Sequence, residues 1–212
     1  MKNEYRLQEL DIDKEGIFDA DKREGYPRTK SDKNTLHSYL ETYELLMYPI
    51  KETAKNIVEI GIWEGGSIKL WNDYFLNAEI IGIDLAPKNE RYVLEDHSRI
   101  HPIFETDAYN IQLWTEHHLF KDCQFDVIID DGPHTPQSQI WSARNLNRFL
   151  NNDEGIFIIE DVPNIRFAYE LKLHFPPDKQ RDVHIVDLID ERDRYDNILV
   201  IYDKNFNDKQ PN

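Results

Sequence analysis

Seven short apolar runs, most of them closing on an acidic residue, recur from residue 56 onward: NIVEIG, AEIIGID, IHPIFETD, FDVIIDD, GIFIIED, VHIVDLID and NILVIYD. Runs this short and this rich in Ile, Val and Phe suit strands buried on both faces. Helical patterns fall between them. SIKLWNDYF carries Ile68, Trp71 and Phe75 on one face, and Thr135 with Pro136 supplies the cap and first turn of a helix striped by Ile140, Ala143, Leu146 and Leu150. Ahead of the first strand, NTLHSYLETYELLMYPI spaces Leu36, Leu40, Tyr43, Met47 and Ile50 at helical intervals, with Glu41 and Glu44 turned to water. Alternating strands and helices predict an α/β fold with a mostly parallel sheet covered on both faces.

A chain of 212 residues suits one domain with one full core. Residues 34–205 form that domain in this reading, after a charged arm or lid over residues 1–33 and before a frayed polar tail over 206–212. Acidic residues outnumber basic ones 41 to 25, for a net charge of -16. This weighs against nucleic acid as substrate or partner, because affinity for phosphates comes largely from Lys and Arg. Cys123 is the single cysteine and forms no internal disulfide. No apolar run approaches the roughly 18 residues needed to span a bilayer, and the N-terminus lacks the apolar centre of a secretory signal. The expectation is a soluble cytoplasmic protein with no membrane contact.

Ligands of open parallel sheets gather at the carboxyl ends of the strands, near the point where strand order reverses. At the first strand's exit the chain reads VEIGIWEGGSIKLW: Glu59, then Gly61, then Gly65 and Gly66, with Ser67 opening a helix. Small residues admit a ligand to the backbone, and free N–H groups at a helix start suit an anionic group. Trp63 occupies the place where a dinucleotide fingerprint needs its second glycine, and no Gly-Lys-Ser/Thr follows to make a phosphate-binding loop. A purely structural turn would read the same way. Asp84, closing the second strand, adds an acid placed to hold both hydroxyls of a ribose. A nucleoside with an amino-acid or small anionic tail fits this set.

These residues resemble class I S-adenosylmethionine-dependent methyltransferases, and among them the metal-dependent sugar O-methyltransferases of the macrocin and mycinamicin type. The carriers are SDKNTLHSYLETYELL, VEIGIWEGGSIKLWNDYF, IIGIDL, IDDGPH, IIEDV and VDLIDERDRYDNILVI. The glycine loop is shared by many methyltransferases, whereas IDDGPH and IIEDV at this spacing are more specific. Ser31 stands where the family has threonine, and Pro133 where serine is usual.

The resemblance implies a Rossmann-like fold of seven strands, with the fourth and fifth adjacent. Asp131, Glu160 and Asp161 would then converge as ligands for Mg²⁺ or Mn²⁺, hard cations suited to oxygen donors. Taken singly, each acid could simply cap the next helix. Glu59, Gly61, Gly65, Ser67, Asp84, Asp107 and Asp130 would serve S-adenosylmethionine, although Asp107 could equally be a helix cap and Asp130 could orient the loop. His134 would be the general base that takes a hydroxyl proton, if it is not a mere turn residue. His37, Tyr39 and Tyr43 would line the acceptor pocket. The implied reaction is methyl transfer to a sugar hydroxyl, plausibly of a deoxysugar such as rhamnose on a glycan or glycosylated natural product. A catechol-type methyltransferase and a non-catalytic cofactor-binding module are the alternatives, and association into homo-oligomers is open.

Overall fold

A computed structural model of the chain describes Leu7 and residues 31–33, 36–88, 98–151 and 154–209. The arm expected over residues 1–33 lies mostly outside these. The described elements are α1 (Leu40–Met47), β1 (Asn56–Ile60), α2 (Gly66–Tyr74), β2 (Glu79–Ile83), β3 (Ile100–Ile103), α3 (Ile111–Glu116), β4 (Val127–Asp130), α4 (Pro136–Asn145), β5 (Ile156–Ile159), α5 (Ile165–Lys172), β6 (Val183–Asp187), α6 (Ile189–Arg192), β7 (Ile198–Tyr202) and α7 (Phe206–Lys209). All the expected strands form, and they join in one seven-stranded sheet of order β3-β2-β1-β4-β5-β7-β6. β7 runs antiparallel to both β5 and β6, and the other pairings are parallel.

The pleat sends alternate side chains into two apolar layers. Ile57, Ile80, Ile129, Ile158 and Ile201 pack with Leu40, Tyr43 and Met47 of α1 and with Ile68 and Trp71 of α2. Val58, Ile81, Ile128, Phe157 and Val200 pack on the opposite face with Trp114 of α3, Ala143 of α4 and Leu171 of α5. Both faces are therefore covered, and strand order reverses between β1 and β4. Register sets Ile60 beside Asp130 and Asp130 beside Ile159, so the exits of β1, β4 and β5 stand level.

The first helix is shorter than its apolar spacing suggested. It begins at Leu40 and passes at Tyr48–Ile50 into a 3₁₀ turn around Pro49, which has no N–H to continue the ladder. Leu36 falls before it and is 43% exposed, so it does not join the stripe. Glu44, expected to face water, accepts from the Leu7 backbone N–H at 2.7 Å and from Tyr74 Oη at 3.2 Å. Lys209, in the segment expected to fray, donates to Leu46 O and Asp203 Oδ2. Among the described residues no helix is long and apolar enough to cross a membrane.

Candidate active site

The β1 exit turns through two glycines in the left-handed region, Gly61 (φ 97°) and Gly65 (φ 88°), the second being the residue that precedes α2. A Cβ on Gly61 would fall 2.1 Å from the carbonyl oxygen of Asp131, so only glycine lets the loop pass the β4 exit. Asp84 fixes the loop from the β2 exit. Its Oδ2 accepts the N–H groups of Ile62 (2.9 Å) and Trp63 (3.0 Å), and its Oδ1 accepts that of Ala86. A cavity of about 740 Å³ opens beside the loop, lined by Gly61 to Glu64, Gly66, Ser67, Asp84, Asp107, Tyr109, Asp131 and His134 among others. Four of the residues expected to serve a cofactor, Gly61, Ser67, Asp84 and Asp107, thus share one cavity, and Gly65 is not among its lining residues.

Two others do not reach it. Glu59 is fully buried, with Oε2 accepting from Trp71 Nε1 at 2.8 Å. Asp130 is buried beneath the loop, where it accepts from Tyr109 Oη (2.7 Å) and the Gly132 N–H (3.3 Å). Neither side chain lines the cavity, and the alternative named for Asp130, orienting the loop, is what its hydrogen bonds to Tyr109 and Gly132 do. Asp130 acts on the cavity through the Tyr109 ring, and Glu59 belongs to a charge cluster behind it. Asp107, exposed, accepts the Tyr109 N–H at 2.8 Å, while the capping residue of α3 is Asn110.

That charge cluster holds a residue that sequence reasoning missed. Lys33 is fully buried, and its Nζ donates to Glu160 Oε1 at 2.6 Å and Asp131 Oδ2 at 2.8 Å and faces Glu59 Oε1 at 3.2 Å. Burial opposes the ammonium, but the three carboxylates outweigh it and hold Lys33 well above the ordinary lysine range. Its neighbours divide. Burial pushes Glu59 up to about 7 against the pull of Lys33, and burial with Asp131 raises Glu160. Asp131 resists burial because Lys33 and His134 attend it, and it is lowered to about 2. The sequence carries only an indirect signal for Lys33. Acids closing adjacent buried strands need a cation, and SDK places one just before α1.

Asp131, Glu160 and Asp161 do come together at the exits of β4 and β5, where Gln139 of α4 donates to the Glu160 carbonyl at 2.9 Å. Tyr43 Oη donates to Glu160 Oε1, and Tyr39 Oη donates to Asp161 Oδ1 at 2.6 Å. Both tyrosines are fully buried, and His37, 2% exposed, stacks on Tyr39 with Nδ1 3.4 Å from Asp161. None of the three lines the cavity: Tyr39 and Tyr43 turn their hydroxyls onto Asp161 and Glu160, and neither ring nitrogen of His37 makes a hydrogen bond.

His134 lies at the cavity wall between two acids, with Nε2 3.0 Å from Asp131 Oδ1 and Nδ1 3.5 Å from Asp161 Oδ2. Burial works against its charged form, but Asp131 and then Asp161 overcome this and raise it to about 8. A cation shared by those carboxylates would act in the opposite direction. His134 (φ 52°) and Asp161 (φ 53°) both sit in the left-handed region, an uncommon backbone state for residues other than glycine. Ligand atoms of Asp131, His134 and Asp161 lie within 4.8 Å of one another, as do those of Glu59, Asp131 and Glu160. In the first group Asp131 and His134 line the cavity, and the oxygens of Asp131 and Asp161 are hard donors that fit a divalent cation. The second already surrounds an ammonium.

No family model matches the chain. Curated relatives do. Over 157 residues, 68% of this chain, it is 28% identical to the 8-demethyl-8-alpha-L-rhamnosyl tetracenomycin-C 2'-O-methyltransferase of Streptomyces olivaceus. Over 145 residues, 64% of this chain, it is 32% identical to the 8-demethyl-8-(2-methoxy-alpha-L-rhamnosyl)-tetracenomycin-C 3'-O-methyltransferase of the same organism. The chain spans only 39% and 35% of those relatives' own lengths. Among solved structures it is similar to the MycE methyltransferase from the mycinamycin biosynthetic pathway in complex with Mg and SAH, with a TM-score of 0.60 at 18% identity over 82% of this chain and 51% of that one. The fold is the Rossmann-like class I methyltransferase fold, and the resemblance to sugar O-methyltransferases read from the motifs is borne out.

Proposed function

We propose that the chain carries an S-adenosylmethionine-dependent, divalent-metal-dependent O-methyltransferase activity whose acceptor is a sugar hydroxyl. A deoxysugar such as rhamnose, on a glycan or a glycosylated natural product, is the acceptor class, and residues 34–205 with the preceding Ser31–Lys33 are the catalytic unit. The observation that carries the reading is the placement of His134 at the wall of the glycine-loop cavity, 3.0 Å from Asp131 and 3.5 Å from Asp161. The rhamnosyl acceptors named for the similar enzymes, and the Mg and SAH named for the similar structure, support it.

Gly61 and Gly66 let the cofactor approach the backbone, and the N-terminal N–H groups of α2 suit its carboxylate. Asp84 accepts from the ribose hydroxyls with lone pairs its loop contacts leave over. Bound there, S-adenosylmethionine supplies an electrophilic methyl and leaves as S-adenosylhomocysteine. Asp131 and Asp161 would hold a divalent cation, with Glu160 held on Lys33 behind them, and the cation would supply Lewis acidity toward the acceptor. His134 takes the proton of the acceptor hydroxyl at a ring nitrogen as the oxygen closes on the methyl carbon. No covalent intermediate with the protein is needed.

The test is an acceptor screen with labelled S-adenosylmethionine and Mg²⁺ or Mn²⁺, setting rhamnosylated compounds against free sugars and catechols. Label transferred to a sugar hydroxyl supports the reading. Transfer to catechols alone would replace the sugar with a phenol.

A further inference from the structure

Two carboxylate triangles share Asp131. The outer one, Asp131 with His134 and Asp161, meets the cavity, and the inner one, Glu59 with Asp131 and Glu160, lies behind it. Each has the span of a cation site, yet the inner triangle is filled by the Lys33 ammonium, which touches all three acids at 2.6 to 3.2 Å. Glu59 Oε1 finds no hydrogen-bond partner and meets that ammonium only as a charge. Tyr43 Oη closes the same triangle from α1 by donating to Glu160 Oε1.

We infer that Lys33 is a positioning residue that occupies an inner cation position, so that the site accepts a single divalent ion at its outer face, between Asp131 and Asp161 and beside His134. The inference deepens the metal reading proposed above and rests on it for the outer ion. With Lys33 in place, the inner acids have a cation partner without a second metal, and Asp131 is left to turn Oδ1 outward while Oδ2 stays on Nζ. Asp131 and Asp161 would then hold that ion beside His134. A second ion sharing Asp131 would compete for the carboxylate that orients His134.

The test counts ions. Chelator-treated full chain, as wild type and as Lys33→Ala, is titrated with Mn²⁺ and followed by calorimetry and by the electron paramagnetic resonance of the free ion. Lys33→Ala should bind one more Mn²⁺ per chain than the wild type, and methylammonium should compete with that additional ion and not with the other. Lys33→Arg, which keeps the charge, should keep the wild-type number. Equal numbers in the wild type and Lys33→Ala, or an extra ion in Lys33→Arg, would overturn the inference. If the wild type takes up no Mn²⁺ and Lys33→Ala takes up one, the metal reading fails while the role of Lys33 stands. Because Lys33→Ala leaves buried acids without a cation, circular dichroism is recorded at each Mn²⁺ concentration. Folding induced by Mn²⁺ supports the exchange, and a chain unfolded at saturating Mn²⁺ counts against it.

Discussion

His134 is held in a left-handed backbone conformation between two carboxylates, an arrangement that costs energy and aims the imidazole into the cavity. Removing it should cost chemistry and spare binding. His134→Ala is expected to lower turnover about 10²- to 10⁴-fold, the usual contribution of a general base, with the affinity for S-adenosylhomocysteine unchanged by calorimetry. Turnover near that of the wild type would refute its role as base. Gly61→Ala makes a different demand, since the new methyl would sit 2.1 Å from the Asp131 carbonyl oxygen at a φ of 97°. Strain of this kind costs about 1–3 kcal/mol, so urea unfolding should register at least that loss, with weaker cofactor binding as the β4 exit gives way. The acids of this site were legible because a charge that ends an apolar run stands out in sequence. Lys33 was not, because a lone lysine before a helix reads as solvated, and only the sum of buried charges demands it. The partners of Tyr39 and Tyr43 were not legible for a related reason. Periodicity places a phenol on the packed face of α1 but does not say whether its hydroxyl meets a ligand or a carboxylate behind the ligand.

The turn between β4 and α4 carries Asp131, Gly132, Pro133 and His134, and its far end is pinned by Thr135. The Thr135 side chain accepts the Ser138 N–H, and Ser138 Oγ accepts the Thr135 N–H in return, a reciprocal cap. Thr135→Ala should therefore cost about 0.5–2 kcal/mol, the range for loss of such a cap, measured by chemical denaturation. Turnover should fall in parallel, because His134 is the residue just before the cap. A loss of stability with turnover untouched would separate the cap from the site. The Thr-Pro pair made this helix start readable, and the apolar runs made every strand readable. Direction was not readable for the last pair. An apolar run fixes burial and leaves open which strand it joins and with what polarity, so the insertion of β7 between β5 and β6, antiparallel to both, emerged only from the assembled sheet. α1 begins at Leu40, and ahead of it the Asp32 carbonyl accepts the N–H groups of Leu36 and His37 at 3.0 Å, while that of Lys33 accepts the Tyr39 N–H at 2.9 Å.

The chain carries a net charge of -16, and part of that charge is concentrated where β1, β4 and β5 end. Two stabilising responses to cations follow, and they can be told apart. Repulsion among exposed acids is screened by any salt, with a Debye length that shrinks from about 30 Å at 0.01 M to about 8 Å at 0.15 M. Sodium chloride should thus raise the melting temperature of chelator-treated protein gradually and without saturation at a fixed stoichiometry. A divalent ion held by Asp131 and Asp161 instead binds the folded state alone and adds about 2.7 kcal/mol when its concentration is a hundredfold above Kd. Mg²⁺ or Mn²⁺ added at constant ionic strength should therefore give a saturable rise in melting temperature. Methyl transfer, lost on chelation, should return along the same saturation curve. Asp161→Asn should abolish the saturable part and keep the response to sodium chloride, because it removes one ligand from the outer triangle and leaves the surface charge almost unchanged. Full transfer by chelated protein, or the same response to Mg²⁺ in Asp161→Asn as in the wild type, would show that the acids at the strand ends need no divalent ion and that Lys33 with His134 suffices to hold them.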